Sequence, residues 1–534
     1  MKNIPVLMTT LSILTFIFSF STGKNVRLIE TMQQRINRIN TSGFIDTTHR
    51  SAPSDISFDI NHVVFPMPDS KARNPLDSND NKYYTSKNQK PAYSDYVKSY
   101  VNVDTPLVAL VGVKVIDGTG AMSKRDQTII IDGSNIISVG HKDSVSIPDN
   151  TQVLDLIGRT VIPGFVGTHN HMHMPGIPTM YYTAPRLYLA CGVTTIQTAG
   201  SAAPYVEKNL ANTIQLGYAP GPDIIHTGPY ITGPGGNRVM IQPESIEQIE
   251  RAIHYWVDEG VTWFKVYRHI KPEHLQAVID IAHKNDAKVT GHLCSVTYTE
   301  VAKMGIDAIE HGFIHSFDHA PDKETGRCSG SRAFRELINI SSTEVKEVHR
   351  ALIQNNVALS STLSIFEAQV PGRAIADRRA LEAMAPHLVE AYHQRRKRMS
   401  EAGKNWYFKE TWLKKSMEYD LAFYRSGGLL TAGPDPGLHN LPGYGDQRNF
   451  ELLVEAGFKP VEAIQVMTSN GAKLLDNPDI GTISVGKTAD LVIINGDIEV
   501  SPKSIRNTEL VFKEGYGFSP EKLIADVKGQ VGYR

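Results

Sequence analysis

Residues 159–176, R-T-V-I-P-G-F-V-G-T-H-N-H-M-H-M-P-G, constrain this chain more than any other stretch. An apolar run, Val161 to Val166, is broken by Pro163-Gly164 and delivers His169 and His171 with one residue between them. In an extended strand successive side chains alternate faces, so the two imidazoles point the same way, about 7 Å apart along the backbone. Imidazole is the commonest metal-binding side chain, and two on one face can share a divalent ion. His173 continues the alternation if the strand runs that far. Short histidine-rich tracts also occur without a metal, so the reading turns on what the rest of the chain supplies.

Metal sites draw about three to six ligands together through the fold. Downstream, residues of suitable type end apolar runs: Lys265 in V-T-W-F-K-V-Y, His292 in A-K-V-T-G-H-L, His311 in D-A-I-E-H-G-F and Asp435 in G-L-L-T-A-G-P-D. The gaps from Lys265 to His292 and from His292 to His311 each have room for one helix and a return to the next strand. Helix-patterned segments, Leu275 to His283 and Thr299 to Met304, lie in them. That rhythm is the signature of consecutive βα units. In barrels of such units the chemistry gathers at the carboxyl ends of the strands, where all of these residues fall.

With these residues in place, P-G-F-V-G-T-H-N-H resembles the first-strand metal motif of the amidohydrolase superfamily. Lys265, G-H-L at 291–293, E-H-G at 310–312 and Asp435 resemble its fourth-, fifth-, sixth- and eighth-strand ligands. The segment I-G-T-I-S-V-G-K-T-A-D-L-V-I-I-N (480–495) is similar to the return into that superfamily's small β-domain. The likeness runs from about Leu107 to the C-terminus. It implies an α/β chain: a (β/α)8 TIM-like barrel over 162–478, with a small β-sandwich domain built from 105–161 and 479–534. One departure is Gly167, where most members carry Asp two residues before the first histidine; its absence bears on local strand-end geometry.

The resemblance also implies the chemistry. In the carboxylated-lysine branch, which includes imidazolonepropionase-like hydrolases and Xaa-Pro or Xaa-Arg dipeptidases, the strand-four lysine reacts with CO2. Its carbamate then bridges two divalent ions, most plausibly zinc for so nitrogen-rich a set. His169 and His171 would serve one ion, His292 and His311 the other, and Asp435 would complete the first site. Two ions about 3.5–4 Å apart can hold a bridging hydroxide at neutral pH and polarise a scissile carbonyl. Asp435 would act as general base, then acid. The implied activity is hydrolysis of a C–N amide bond in a dipeptide, N-acyl amino acid or cyclic amide. A lactone, ester or phosphotriester hydrolase is the alternative, and a non-catalytic barrel scaffold the different-class rival. All six candidate ligand positions hold competent residue types, which weighs against a scaffold.

Around this set several residues have two readings. Tyr267, two positions beyond Lys265, is either a donor to the developing oxyanion or a packed tyrosine. Such a donor is worth about 2.7–4 kcal/mol in acyl transfer. Arg268 is a candidate for a substrate carboxylate, and His173 for another substrate contact. Arg238 ends a glycine-rich loop, I-T-G-P-G-G-N-R (231–238), that lacks the strand–helix context and lysine of a phosphate cradle. It reads as a solvated loop charge with reach to substrate as the alternative. The run V-A-L-S-S-T-L-S-I (357–365) is expected as the seventh strand, followed by a helical insertion over about 370–426. The insertion reads as a candidate lid over the site, and its cluster Arg395 to Arg398 as a wet helix face with a substrate contact as the alternative.

Composition bounds the rest. At 534 residues and 41% hydrophobic content the chain can bury a large core in two or three domains. A net charge of −1 gives no electrostatic reason for a nucleic-acid partner. The expected partner is a small-molecule substrate, with a homo-oligomer left open. Cys191, Cys294 and Cys328 read as too few and too scattered for a disulfide framework, with Cys294 a packed thiol. Lys2, the apolar stretch Val6 to Phe20 and Ser21-Thr22-Gly23 read as an export signal over residues 1–23. The run is short of the about 20 apolar residues a membrane span needs. The expected location is periplasmic or extracellular, with no stable membrane insertion once the signal is cut; anchoring by an uncleaved segment is the alternative. Residues 24–104 read as a partly irregular arm, with one amphipathic helix over Asn25 to Asn40.

Overall fold

The computed structural model describes residues 90–173 and 179–533. The export signal and the Asn25–Asn40 helix lie outside the described residues. No described helix is long and apolar enough to cross a membrane.

Six short strands come first: β1 (Val101–Val103), β2 (Leu107–Val115), β3 (Lys124–Asp132), β4 (Asn135–His141), β5 (Gln152–Asp155) and β6 (Arg159–Pro163). Three more follow the barrel: β15 (Leu491–Asn495), β16 (Thr508–Lys513) and β17 (Tyr516–Phe518). They form one sheet in the order β1-β17-β16-β15-β6-β2-β3-β4, with β5 on β2. Alternate residues of distant strands, Val108 and Leu110 with Leu491, Ile493 and Phe512, share one buried cluster. The sheet therefore curls around its own core, with period-2 side chains directed inward. The sheet is mixed, since β5 and β6 both run parallel to β2 while the other pairings are antiparallel.

Pro163-Gly164 is the switch from this sheet into the barrel. Eight parallel strands follow: β7 (Phe165–Asn170), β8 (Val193–Thr198), β9 (Asp223–Ile225), β10 (Trp263–Val266), β11 (Lys288–Gly291), β12 (Ala308–Glu310), β13 (Ala358–Ser361) and β14 (Leu430–Ala432). β7 to β9 pair in sequence, as do β10 to β14. Backbone bonds bridge the seams. Gly228 N–H donates to Trp263 O and Ile231 N–H to Lys265 O between the third and fourth strands, and Asp435 N–H donates to His169 O between the eighth and first. At this last seam a Cβ on Gly433 would fall 2.5 Å from the His169 backbone, so only glycine admits the approach. Runs such as V-T-T-I-Q-T are buried along their whole length, as strands covered on both faces must be.

The seventh strand is shorter than its apolar run suggests. It spans Ala358–Ser361, and Leu363–Glu367 is already helical. The insertion is helical over Arg378–Ala383, Pro386–Ala402 and Glu410–Arg425. Tyr392 of its second helix meets His439, just past Asp435, with ring centroids 5.0 Å apart.

Candidate metal centre

His169 is buried near the end of β7, and its Nδ1 lies 2.5 Å from Glu310 Oε2. An ionised carboxylate only accepts, so Nδ1–H donates and Nε2 keeps its lone pair. That Nε2 is 3.6 Å from Asp435 Oδ1. His171 lies one residue past the strand, its Nε2 3.3 Å from the same oxygen and its Nδ1 3.3 Å from the Tyr230 hydroxyl. The strand therefore does not carry the alternation on to His173.

His311 follows Glu310 directly, and strict alternation would turn one of the two away from the barrel interior. Instead His311 has φ 72°, a left-handed backbone that brings its ring back beside its neighbour's site. Asp435, three residues past the end of β14, is left-handed too, with φ 45°. Such conformations cost of order 1–3 kcal/mol and concentrate where a site needs them. His311 Nδ1 lies 3.0 Å from Thr362 Oγ1 and 3.8 Å from Asp435 Oδ2. Its ring stands 4.5 Å from that of His169 and 4.4 Å from that of His292, centroid to centroid.

Below the histidines the barrel interior is polar. Thr290 Oγ1 donates to Glu310 Oε1 at 2.5 Å, and Lys265 Nζ is 3.6 Å from the same oxygen. Thr168 and Thr431 hydroxyls meet at 2.8 Å. Glu310 thus links two predicted ligands, His169 and Lys265. Sequence reasoning misses it because alternation gives the inward position of that strand end to His311 alone. A partner of this kind fixes tautomer and ring orientation, and its loss typically costs 10–100-fold in metal affinity. Glu310→Gln is accordingly expected to weaken metal binding by about 10–100-fold while the chain stays folded, read by competition with a chromogenic chelator.

Charge follows burial. Desolvation pushes His171 down to about 4, and His292 and His311 well below the usual imidazole value. Neutral imidazoles are the form that binds a metal. Burial opposes ionisation of Asp435, yet its neighbours His169, His171 and His311 hold its carboxyl below the ordinary range. Burial likewise opposes ionisation of Glu310, and His169 and Lys265 outweigh it. The Lys265 amine is pushed down by desolvation, with Glu310 and Asp435 pulling the other way.

Behind the site Asp420, on the helix Glu410–Arg425, accepts from Ser361 Oγ at 2.5 Å and is raised to about 7 by burial. Unfolded, such a carboxyl titrates near about 3.9. Between the two values the folded chain holds the extra proton, so this group makes stability fall as pH rises. Asp420→Asn removes that dependence. Its stability relative to wild type should therefore increase from about pH 5 to pH 8, measured by chemical denaturation.

The other expected contacts are distributed unevenly. Tyr267 stands against His292, ring centroids 4.4 Å apart, and burial raises its hydroxyl to about 12, so it is a donor at neutral pH. His173 is half-buried beside Tyr181, and Arg238 is exposed on its loop. Arg268 reaches Cys328 Sγ at 3.5 Å. That sulfur corrects the thiol reading: Cys294 and Cys328 form a disulfide, and only Cys191 is free among the described residues. Linear separation hid the pairing, because the loop after β12 folds back over the end of β11.

Residues 443–529 match the amidohydrolase family. Imidazolonepropionase of Alkaliphilus metalliredigens is 24% identical over 442 residues, covering 76% of this chain and 92% of that protein. Over these stretches the chain resembles the amidohydrolase superfamily. Imidazolonepropionase of Streptomyces griseus subsp. griseus is 36% identical over a shorter stretch, 16% of this chain and only 23% of that relative's length. A solved Xaa-Pro dipeptidase with bound methionine in the active site shares the fold, with TM-score 0.56, 19% identity and coverage of 77% of this chain and all of that one.

Amidohydrolases are typically metal-dependent, and the residues here fit an ion. His169, His311 and Asp435 each offer a ligand atom within 4.8 Å of the others, as do His292, His311 and His315. His292 Nε2 is buried without a hydrogen-bond partner, as an imidazole nitrogen reserved for a metal would be. The departure at Gly167 has a local cause: a Cβ there would sit 2.4 Å from Asn170 Nδ2, so the asparagine side chain fills that space.

Proposed function

We propose that this chain is an exported, binuclear, metal-dependent hydrolase of C–N amide bonds in a dipeptide, N-acyl amino acid or cyclic amide. The observation that carries the reading is the Asp435 carboxylate, set within 3.3–3.8 Å of nitrogens on His169, His171 and His311 at the carboxyl end of the barrel. The relatives named imidazolonepropionase and Xaa-Pro dipeptidase support it. Export is supported by the Cys294–Cys328 disulfide, since such bonds persist in oxidising compartments.

His169, His171 and Asp435 would hold one ion, His292 and His311 the other, with Lys265 as its CO2-derived carbamate between them. Bound there, a pair of divalent ions would acidify the attacking water and polarise the carbonyl. Asp435 Oδ takes the proton of the attacking water and returns it to the departing nitrogen. Tyr267 O–H, beside His292, donates to the carbonyl oxygen as charge builds on it. Arg268 would bind a substrate carboxylate, which suits a peptide-like or N-acyl-amino-acid molecule. Glu310 keeps His169 in the required tautomer, and Glu310 and Thr362 orient the His169 and His311 rings.

The test is a panel of dipeptides, N-acyl amino acids, cyclic amides and lactones, assayed with added zinc. Amine release from at least one amide class, faster than lactone opening, is the expected result. Turnover of lactones or phosphotriesters alone would replace the amide assignment.

A further inference from the structure

The sequence H-G-F-I-H at 311–315 carries a second histidine that no motif accounts for. Gly312–His315 form a single 3-10 turn directly after the left-handed His311. Three residues per turn, begun from that backbone, bring His315 round toward the strand ends it has just left. Its ring centroid lies 4.0 Å from that of His292 and 5.0 Å from that of His311. One ring nitrogen from each of the three falls within 4.8 Å of the other two.

The free nitrogens are the telling feature. His315 Nδ1 and His292 Nε2 are both buried, and neither has a hydrogen-bond partner. His311 Nδ1 is engaged by Thr362, which leaves its Nε2 for another partner. Buried polar nitrogens are almost always paired in a finished structure, so two orphans in one three-histidine cluster point to a missing common partner. Zinc–imidazole bonds of about 2.0–2.1 Å place tetrahedral ligand nitrogens ~3.4 Å apart. Rings already within 4.8 Å need only small rotations to meet that spacing.

We infer that His315 is a third histidine ligand of the second metal position, completing with His292 and His311 a three-histidine site. This rests on the binuclear reading above, in which that position has only two side chains of its own besides Lys265. The disulfide then has a place in the site. It ties Cys294, two residues past His292, to Cys328 in the loop that follows His315, so it holds the His315 turn against the end of β11.

Cobalt(II) alone is the probe, with metal bound per chain and the visible absorption of the bound ion as readouts. Wild type is expected to take two ions. His315→Gln should bind the first with unchanged affinity and the second at least about tenfold more weakly, with an altered absorption of the second ion. His315→Asn serves as the second variant should glutamine disturb the fold, which far-UV circular dichroism of the metal-free protein reports. Unchanged second-ion affinity and spectrum in a folded variant would overturn the assignment. If wild type binds a single ion, the binuclear reading fails by itself. The His315 assignment is then decided by that ion: weaker binding in the variants upholds it, and equal binding overturns it.

Discussion

Asp435→Asn is expected to retain most of its metal while losing on the order of 10²–10⁴ in turnover, the usual range for a positioned acid–base group. Asparagine keeps the size and one oxygen toward His169 and His171, but it removes the carboxylate that those rings and His311 surround. The left-handed backbone at this position tolerates asparagine better than most residues, so the fold should survive. Elemental analysis and initial rates on the same preparation make the check. A metal-replete, nearly fully active variant would remove Asp435 as the proton carrier, and His173, half-buried near the mouth with its Nδ1 unpartnered, would be the next residue to replace.

Lys265→Ala carries the second large effect. Lys265 is buried beside Glu310, and burial favours the neutral amine that CO2 requires. Carbamylation exchanges a cation for an anion next to a buried carboxylate, which is tolerable only when divalent ions balance it. On the proposed function, modification and metal loading are therefore coupled. The alanine variant should lose amide hydrolysis and at least one of the two ions, and short carboxylic acids should partly restore both by occupying the vacated space. A variant that keeps both ions and its rate would show that Lys265 only pairs with Glu310.

The barrel and its candidate ligand residues are legible in the sequence because each candidate ends an apolar run at βα spacing. His169, Lys265, His292 and Asp435 need no more than that rhythm to be placed at strand ends. What alternation hides is the pair Glu310-His311. A two-residue period assigns adjacent side chains to opposite faces, and only the positive φ at His311 lets both serve one site. His315 is hidden for the same reason one turn later, since its reach depends on a 3-10 turn within a stretch that reads as irregular. The disulfide and Tyr230's contact with His171 join segments far apart in the chain, and nothing local in either partner announces them. The small sheet is readable as strands but not in their directions, because parallel pairing of β5 and β6 with β2 is a property of the chain path.

The proposed function requires a two-ion centre that hydrolyses amides. Its most direct test is the metal content of the purified chain, measured together with amine release before and after chelation. The expected result is two divalent ions per chain, loss of amide hydrolysis as they are removed, and recovery when two equivalents of zinc are returned. One tightly held ion with Lys265 unmodified, or undiminished amide hydrolysis by metal-free protein, would contradict it.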